Sequence, residues 1–184
     1  MMTRRTLLPL LGAMLSIAVA GSFGADAQSS EADELAKFHE GLLKRYPRVG
    51  HLSTEQLAIL PQDSVILFDV RKQAEYDVSH LNAAIRISPR MRASSFLESY
   101  SDQLLGKKVV FYCSVGERSS KLAEAVMDEL GAANANIVNL EGGIFKWHNE
   151  ERPVFNADGL TSKIHPFNKF WGRLLARRDQ ISRN

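Results

Sequence analysis

The 184-residue chain has one cysteine, Cys113. An internal disulfide is therefore excluded, and packing alone must hold the core. Net charge is also small: 23 basic against 21 acidic residues leave +2, too little to draw the whole chain to nucleic acid. No His/Cys cluster has metal-ligand spacing, so neither a metal nor a cofactor is expected. Internal repeats and low-complexity segments are missing as well. What is abundant is ordinary: 45% apolar residues in a chain of this length, enough for one core of usual size.

The longest apolar run is N-terminal. Met1-Met2-Thr3-Arg4-Arg5 is basic, Leu7 to Ala20 is apolar, and Ala25-Asp26-Ala27 offers a small-x-small cleavage site. This is the pattern of a secretory signal over residues 1–27, and Thr3 to Leu8 also looks like a twin-arginine signal. Cleavage after Ala27 and export, to the periplasm or beyond, are expected. An uncleaved anchor is the alternative, but the run is short of the ~20 residues a spanning helix needs. In an oxidising compartment an unpaired cysteine is either a buried small hydrophobe or a reactive thiol.

Residues 28–32 are polar and read as a flexible linker. Leu35, Phe38, Leu42 and Tyr46 have helical spacing, and Pro47 ends that helix. Ser53 and Gln56 form a capping box before a short helix. Val65 to Val70 is an unbroken apolar run, as in a strand buried on both faces. A turn or short helix over 71–79, a strand at Ala84–Ile87 and a helix over Phe96–Leu105 follow. Then come a strand at Val109–Tyr112, a helix from Ser119 to Leu130 stopped by Gly131, and a strand at Ile137–Leu140. Gly142-Gly143 turns into Ile144–His148. Alternating strands and helices predict an α/β domain with a mainly parallel sheet, whose sites form at the carboxyl ends of strands. Cys113 sits at such an end. Beyond the core domain of 49–155, Phe167, Phe170, Trp171, Leu174 and Leu175 share one helical face, with Lys169, Arg173, Arg177 and Arg178 among them. A basic amphipathic helix in the 156–184 extension is expected. It would pack its stripe on the domain, or offer residues 163–178 to a protein partner or membrane surface.

Three segments carry the chemistry. Leu67-Phe68-Asp69-Val70-Arg71 runs through Glu75 to His80-Leu81. Tyr112-Cys113-Ser114-Val115-Gly116-Glu117-Arg118-Ser119 is the cysteine loop. Leu140-Glu141-Gly142-Gly143-Ile144-Phe145-Lys146-Trp147 precedes Pro153. Together they resemble the rhodanese family of sulfurtransferases over roughly residues 50 to 155. The resemblance implies a three-layer α/β fold, a small sulfur donor, a thiophilic acceptor, and Cys113 carrying the sulfur as a persulfide. Ser114, Val115, Gly116, Glu117 and Arg118 would bind substrate, with Asp69, Arg71 and Ser119 in support.

The residues fit that chemistry. A thiolate at a helix N-terminus is stabilised by free N–H groups and the helix dipole. Gly116 lets the loop turn sharply, so that its N–H groups form an anion nest. Arg118 offers a fixed charge, or a structural ion pair with Glu117 or another carboxylate, and Ser119 a helix cap. Four residues separate Cys113 from Arg118, whereas cysteine-dependent phosphatases have five before their Arg. Phosphatase or arsenate-reductase chemistry is thus the weaker reading. An envelope binding or scaffold module would leave the cysteine inert, and a redox role would need an intermolecular disulfide. His80 reads as a packing residue rather than a general base, and Trp147 as a fold determinant. Ser79 stands where the family often has Gly. The loop's own charge is near zero, so a neutral persulfide or a protein partner stands beside thiosulfate as donor.

Overall fold

The computed structural model describes residues 22–131 and 136–183. Five parallel strands form the central sheet: β1 (Gly50–Leu52), β2 (Val65–Asp69), β3 (Ile85–Arg86), β4 (Lys108–Tyr112) and β5 (Ile137–Leu140), in the order β1-β5-β4-β2-β3. Central β4 shows why the sheet is buried on both sides. Alternate residues of a strand face opposite ways. Val109 and Phe111, with Cys113 just beyond, join one core with Phe68, Phe96, Leu122 and Val126. Val110 and Tyr112 join the other with Leu140, Ile144, Trp147 and Val154.

The helices cover these two faces. On the Cys113 side lie α4 (Ala93–Leu104) and α5 (Glu117–Leu130). Here Phe68 meets Phe96 edge-on at 4.8 Å and stacks on Phe111 at 5.5 Å, the offset geometries that aromatic quadrupoles favour. On the other side lie α2 (Thr54–Ile59) and α6 (Gly143–Asn149). Helix α1 (Ser22–Arg45) contributes Leu35 to one core and Leu42 to the other. Short α3 (Gln73–Val78) joins β2 to β3, and β6 (Val154–Asn156) pairs with β7 (Gly159–Thr161) in an antiparallel hairpin. The α/β architecture read from the alternation is what forms. So is the Ser53 capping box, with Gln56 N–H donating to Ser53 Oγ at 3.2 Å and Ser53 N–H to Gln56 Oε1 at 3.0 Å.

Strand β1 and the β6–β7 hairpin have no counterpart in the sequence reading, and three expected elements differ from it. Residues 28–32 are not a linker but part of α1, whose Glu31 and Glu34 pair with Arg178 and Arg173. Helix α5 starts at Glu117, so Ser119 lies within its first turn and Gly116 takes the cap position. The expected C-terminal amphipathic helix does not form. Only the four-residue α7 (Lys169–Gly172) is α-helical, with a single 3₁₀ turn at Arg178–Gln180, inside an otherwise irregular strap. Pro166 and Gly172 abut so closely that a Cβ on Gly172 would lie 2.8 Å from Pro166 Cβ. Ile164, Leu174 and Leu175 are buried in the core, and Asn149 of α6 binds Leu174 O and Ala176 N–H. Trp171 meets Phe38 of α1 edge-on at 4.9 Å. The extension is therefore woven onto the domain.

Of the expected signal sequence, residues 1–21 lie outside the described residues. No described helix is long and apolar enough to cross a membrane.

Candidate active site

Cys113 follows the last residue of β4, and its loop leads straight into α5. Gly116 makes the reversal possible at φ 98, where a Cβ would meet Asn139 Nδ2 at 2.9 Å. The loop carbonyls point away from the sulfur: Ile144 N–H donates to Cys113 O at 2.9 Å and Phe145 N–H to Ser114 O at 3.0 Å. The first turn of α6 thus seats directly beneath the loop, and Gly143, at φ 57, has no room for a side chain there. Because the carbonyls are held below, the N–H groups face the sulfur. Gly116 N–H donates to Cys113 Sγ at 3.2 Å.

Cys113 is 1% exposed. Burial pushes its thiol pKa up, but Arg118, the Ser119 hydroxyl and the N–H groups of Ser119 and Val115 outweigh it, and the net shift is downward. The thiolate is the nucleophilic form of sulfur. Ser119 is fully buried within the first turn of α5, and its hydroxyl helps to lower the thiol pKa rather than cap the helix.

Arg118 carries both roles weighed for it. Its Nη1 donates to Glu75 Oε2 at 2.9 Å, and its Nη2 to Glu75 Oε1 at 2.8 Å and Ser114 Oγ at 3.0 Å. Ser114 Oγ in turn donates to Glu75 Oε1 at 3.1 Å, and Lys72 N–H to Glu75 Oε2 at 3.1 Å. Burial alone would raise the pKa of the Glu75 carboxyl, but Arg118, the Lys72 N–H and the nearby Arg71 hold it below the usual range. Glu75 is thus a buried anion that fixes the cation beside the sulfur. Sequence reasoning did not place it in the site, although it stood within the first of the three motifs.

The remaining expected residues divide. The Val115 side chain belongs to the core and only its N–H serves the loop. The Glu117 carboxylate is not in the cradle: it turns to α1, where Arg45 donates to it at 2.6 and 2.7 Å and Tyr46 Oη at 3.2 Å. Asp69 and Arg71 are fully buried and tie the end of β2 to the turn after α3, with Arg71 Nη2 donating to Asp69 Oδ2 at 2.6 Å and Ser79 O at 2.5 Å. His80 stacks on Tyr76 at 4.0 Å, and its N–H and C=O bridge Phe155, a packing role. Trp147 Nε1 donates to Pro153 O at 2.9 Å and closes the end of α6.

The rhodanese-like domain pattern matches residues 53–150. Curated relatives include a tRNA uridine(34) hydroxylase of Listeria welshimeri, 33% identical over 96 residues, 51% of this chain and 29% of that protein. The same name is borne by a relative from Staphylococcus saprophyticus, 32% identical over 114 residues, 61% of this chain and 34% of that protein. The chain spans about a third of the length of these relatives. Among solved structures it is similar to a rhodanese-related protein of Thermoplasma volcanium, with 28% identity, 57% of this chain and 96% of that chain covered, and a TM-score of 0.46. The match over residues 53–150 takes in the motif strand, the cysteine loop and the glycine pair beneath it: the chain belongs to the rhodanese-like domain family.

Proposed function

We propose that this protein is a sulfurtransferase that carries one sulfane sulfur on Cys113. The observation that supports it is the enclosed thiol with a lowered pKa, ringed by N–H groups and by the cation of Arg118. The Cys113 thiolate attacks the outer sulfur of a donor R–S–SH. The new Cys113 S–S bond forms as the donor S–S bond breaks, and R–S⁻ leaves and takes the proton. An acceptor nucleophile then attacks the outer sulfur and returns Cys113 as thiolate, so the cycle needs no external oxidant or reductant. The N–H groups that stabilise the thiolate also stabilise the persulfide anion. So enclosed a sulfur suits transfer of a single atom better than attack on a bulky phosphoester.

With a persulfide donor and cyanide as acceptor, the wild-type protein is expected to form thiocyanate. Cys113→Ser is expected to lower the rate on the order of 10³-fold or more. Undiminished thiocyanate formation by the Ser variant would remove Cys113 from the reaction.

We also propose that the protein is exported, on the basic, apolar and small-x-small segments of residues 1–27. N-terminal sequencing of protein from the periplasm should begin at Gln28; an intact Met1 contradicts cleavage.

A further inference from the structure

The strap that follows the family match reaches the mouth of the site. Ile164 is fully buried and bonded to the chain at Gln180 and Ser182, and Gly172 rests on Pro166. Between these anchors Phe167 is held at φ 59, its N–H donating to His165 Nδ1 at 3.0 Å. Its ring lies over the Arg118 guanidinium at 4.7 Å, with Lys72 Nζ at 5.8 Å from the ring centre. Arg118 is therefore committed to Glu75 and Ser114 at its edge, to Phe167 on its face and to the sulfur. It has little left to offer a second anion next to the transferred sulfur.

Free positive charge lies farther out. Arg118 also lines an open cleft of about 880 Å³ shared with Arg90, Arg92 and Lys121. These three are exposed, and none makes an ion pair with a described residue. Of the two carboxylates on the same cleft, Asp128 is held by Arg48 at 2.7 Å, leaving Glu129 alone against three cations.

We propose that the donor is an organic persulfide whose carboxylates lie several bonds from its sulfur, with its carbon body against Phe167 and its carboxylates on Arg90, Arg92 and Lys121. This rests on the sulfurtransferase reading above. Thiosulfate is the poorer fit, because its sulfonate is bonded directly to the sulfur it gives up and would need the charge of Arg118. Transfer follows the same balanced exchange, with the organic thiolate as leaving group.

The test compares glutathione persulfide with its diethyl ester and with thiosulfate, reading the rate of Cys113 persulfidation by intact mass. The two peptide donors share one sulfur chemistry and differ in carboxylate charge. Wild type is expected to favour the free acid roughly fivefold, less so as salt rises. In R90A/R92A that ratio should collapse towards one. Phe167→Ala should lower the rate with glutathione persulfide, relative to thiosulfate, by roughly fivefold, and Phe167→Leu, which keeps an apolar side chain in the strap, should lie between. Equal rates for acid and ester in wild type, an unchanged acid-to-ester ratio in R90A/R92A, or an unchanged ratio of glutathione persulfide to thiosulfate rates in both Phe167 variants overturns the proposal and leaves the sulfurtransferase reading standing. If no donor places sulfur on Cys113, both fall together.

Discussion

Arg118→Met is expected to raise the pKa of the Cys113 thiol and to destabilise the protein by about 3 kcal/mol at neutral pH. Two consequences follow from one missing cation. The thiol loses the charge that most opposes its burial, so the pH profile of its alkylation by iodoacetamide shifts upward. Glu75, 1% exposed on its side chain, is left without its ion-pair partner. In the wild type its depressed pKa contributes stability that is complete above the ordinary carboxylate pKa of about 4.3 and is lost as pH falls through the folded value. In the variant burial loses its main opponent, with only the Lys72 N–H, the Ser114 hydroxyl and the nearby Arg71 left against it, and the Glu75 pKa rises. The penalty then grows as pH climbs from the ordinary carboxylate value through the raised one, and shrinks in acid. Urea unfolding at neutral pH and near pH 4 would show it. Adding Glu75→Gln to Arg118→Met should recover most of the stability while leaving the thiol pKa high. If the double variant recovers both, Arg118 acts on Cys113 only by holding the loop.

Gly143→Ala is expected to cost about 2–5 kcal/mol and to remove sulfur transfer with it. At φ 57 a non-glycine residue is strained, and the new Cβ would lie 2.7 Å from Ser114 O and closer still to Cys113 O. Both are backbone atoms of the cysteine loop, so they cannot swing aside without moving the sulfur. The N–H bonds from Ile144 and Phe145 to those carbonyls would lengthen, and the loop N–H groups would lose their aim. Gly142→Ala is the comparison. At φ 65 it is strained as well, and its Cβ would lie 2.5 Å from Lys146 Cβ, so it should also cost stability, but it meets no atom of the cysteine loop and the folded variant should keep its activity. A Gly143→Ala protein that transfers sulfur as well as Gly142→Ala does would show that the α6 turn does not set the loop.

The parts legible in the sequence were those decided locally. The apolar runs at β2 and β4 read as strands buried on both faces, and Ser53 with Gln56 as a cap. The cysteine loop was legible because strand, glycine and helix follow one another within a few residues. What escaped was decided across the chain. Glu75 and Arg118 lie 43 residues apart, and nothing in either segment shows that a buried carboxylate will fix that cation. Glu117 looked like a loop residue because its partner, Arg45, comes from another helix. The strap misled for a different reason. Phe167, Trp171, Leu174 and Leu175 have helical spacing, but each finds its own neighbour, Arg118 for Phe167 and Phe38 for Trp171, and tertiary packing overrode the local pattern.

The central claim is that Cys113 holds a transferable sulfur. Intact mass spectrometry of the full chain after incubation with glutathione persulfide, and again after cyanide, tests it most directly. The expected result is a gain of one sulfur atom on the wild type, localised to Cys113 and removed by cyanide, with no gain on Cys113→Ser. A wild-type mass unchanged by every sulfur donor, or a gain that Cys113→Ser shares, would contradict it.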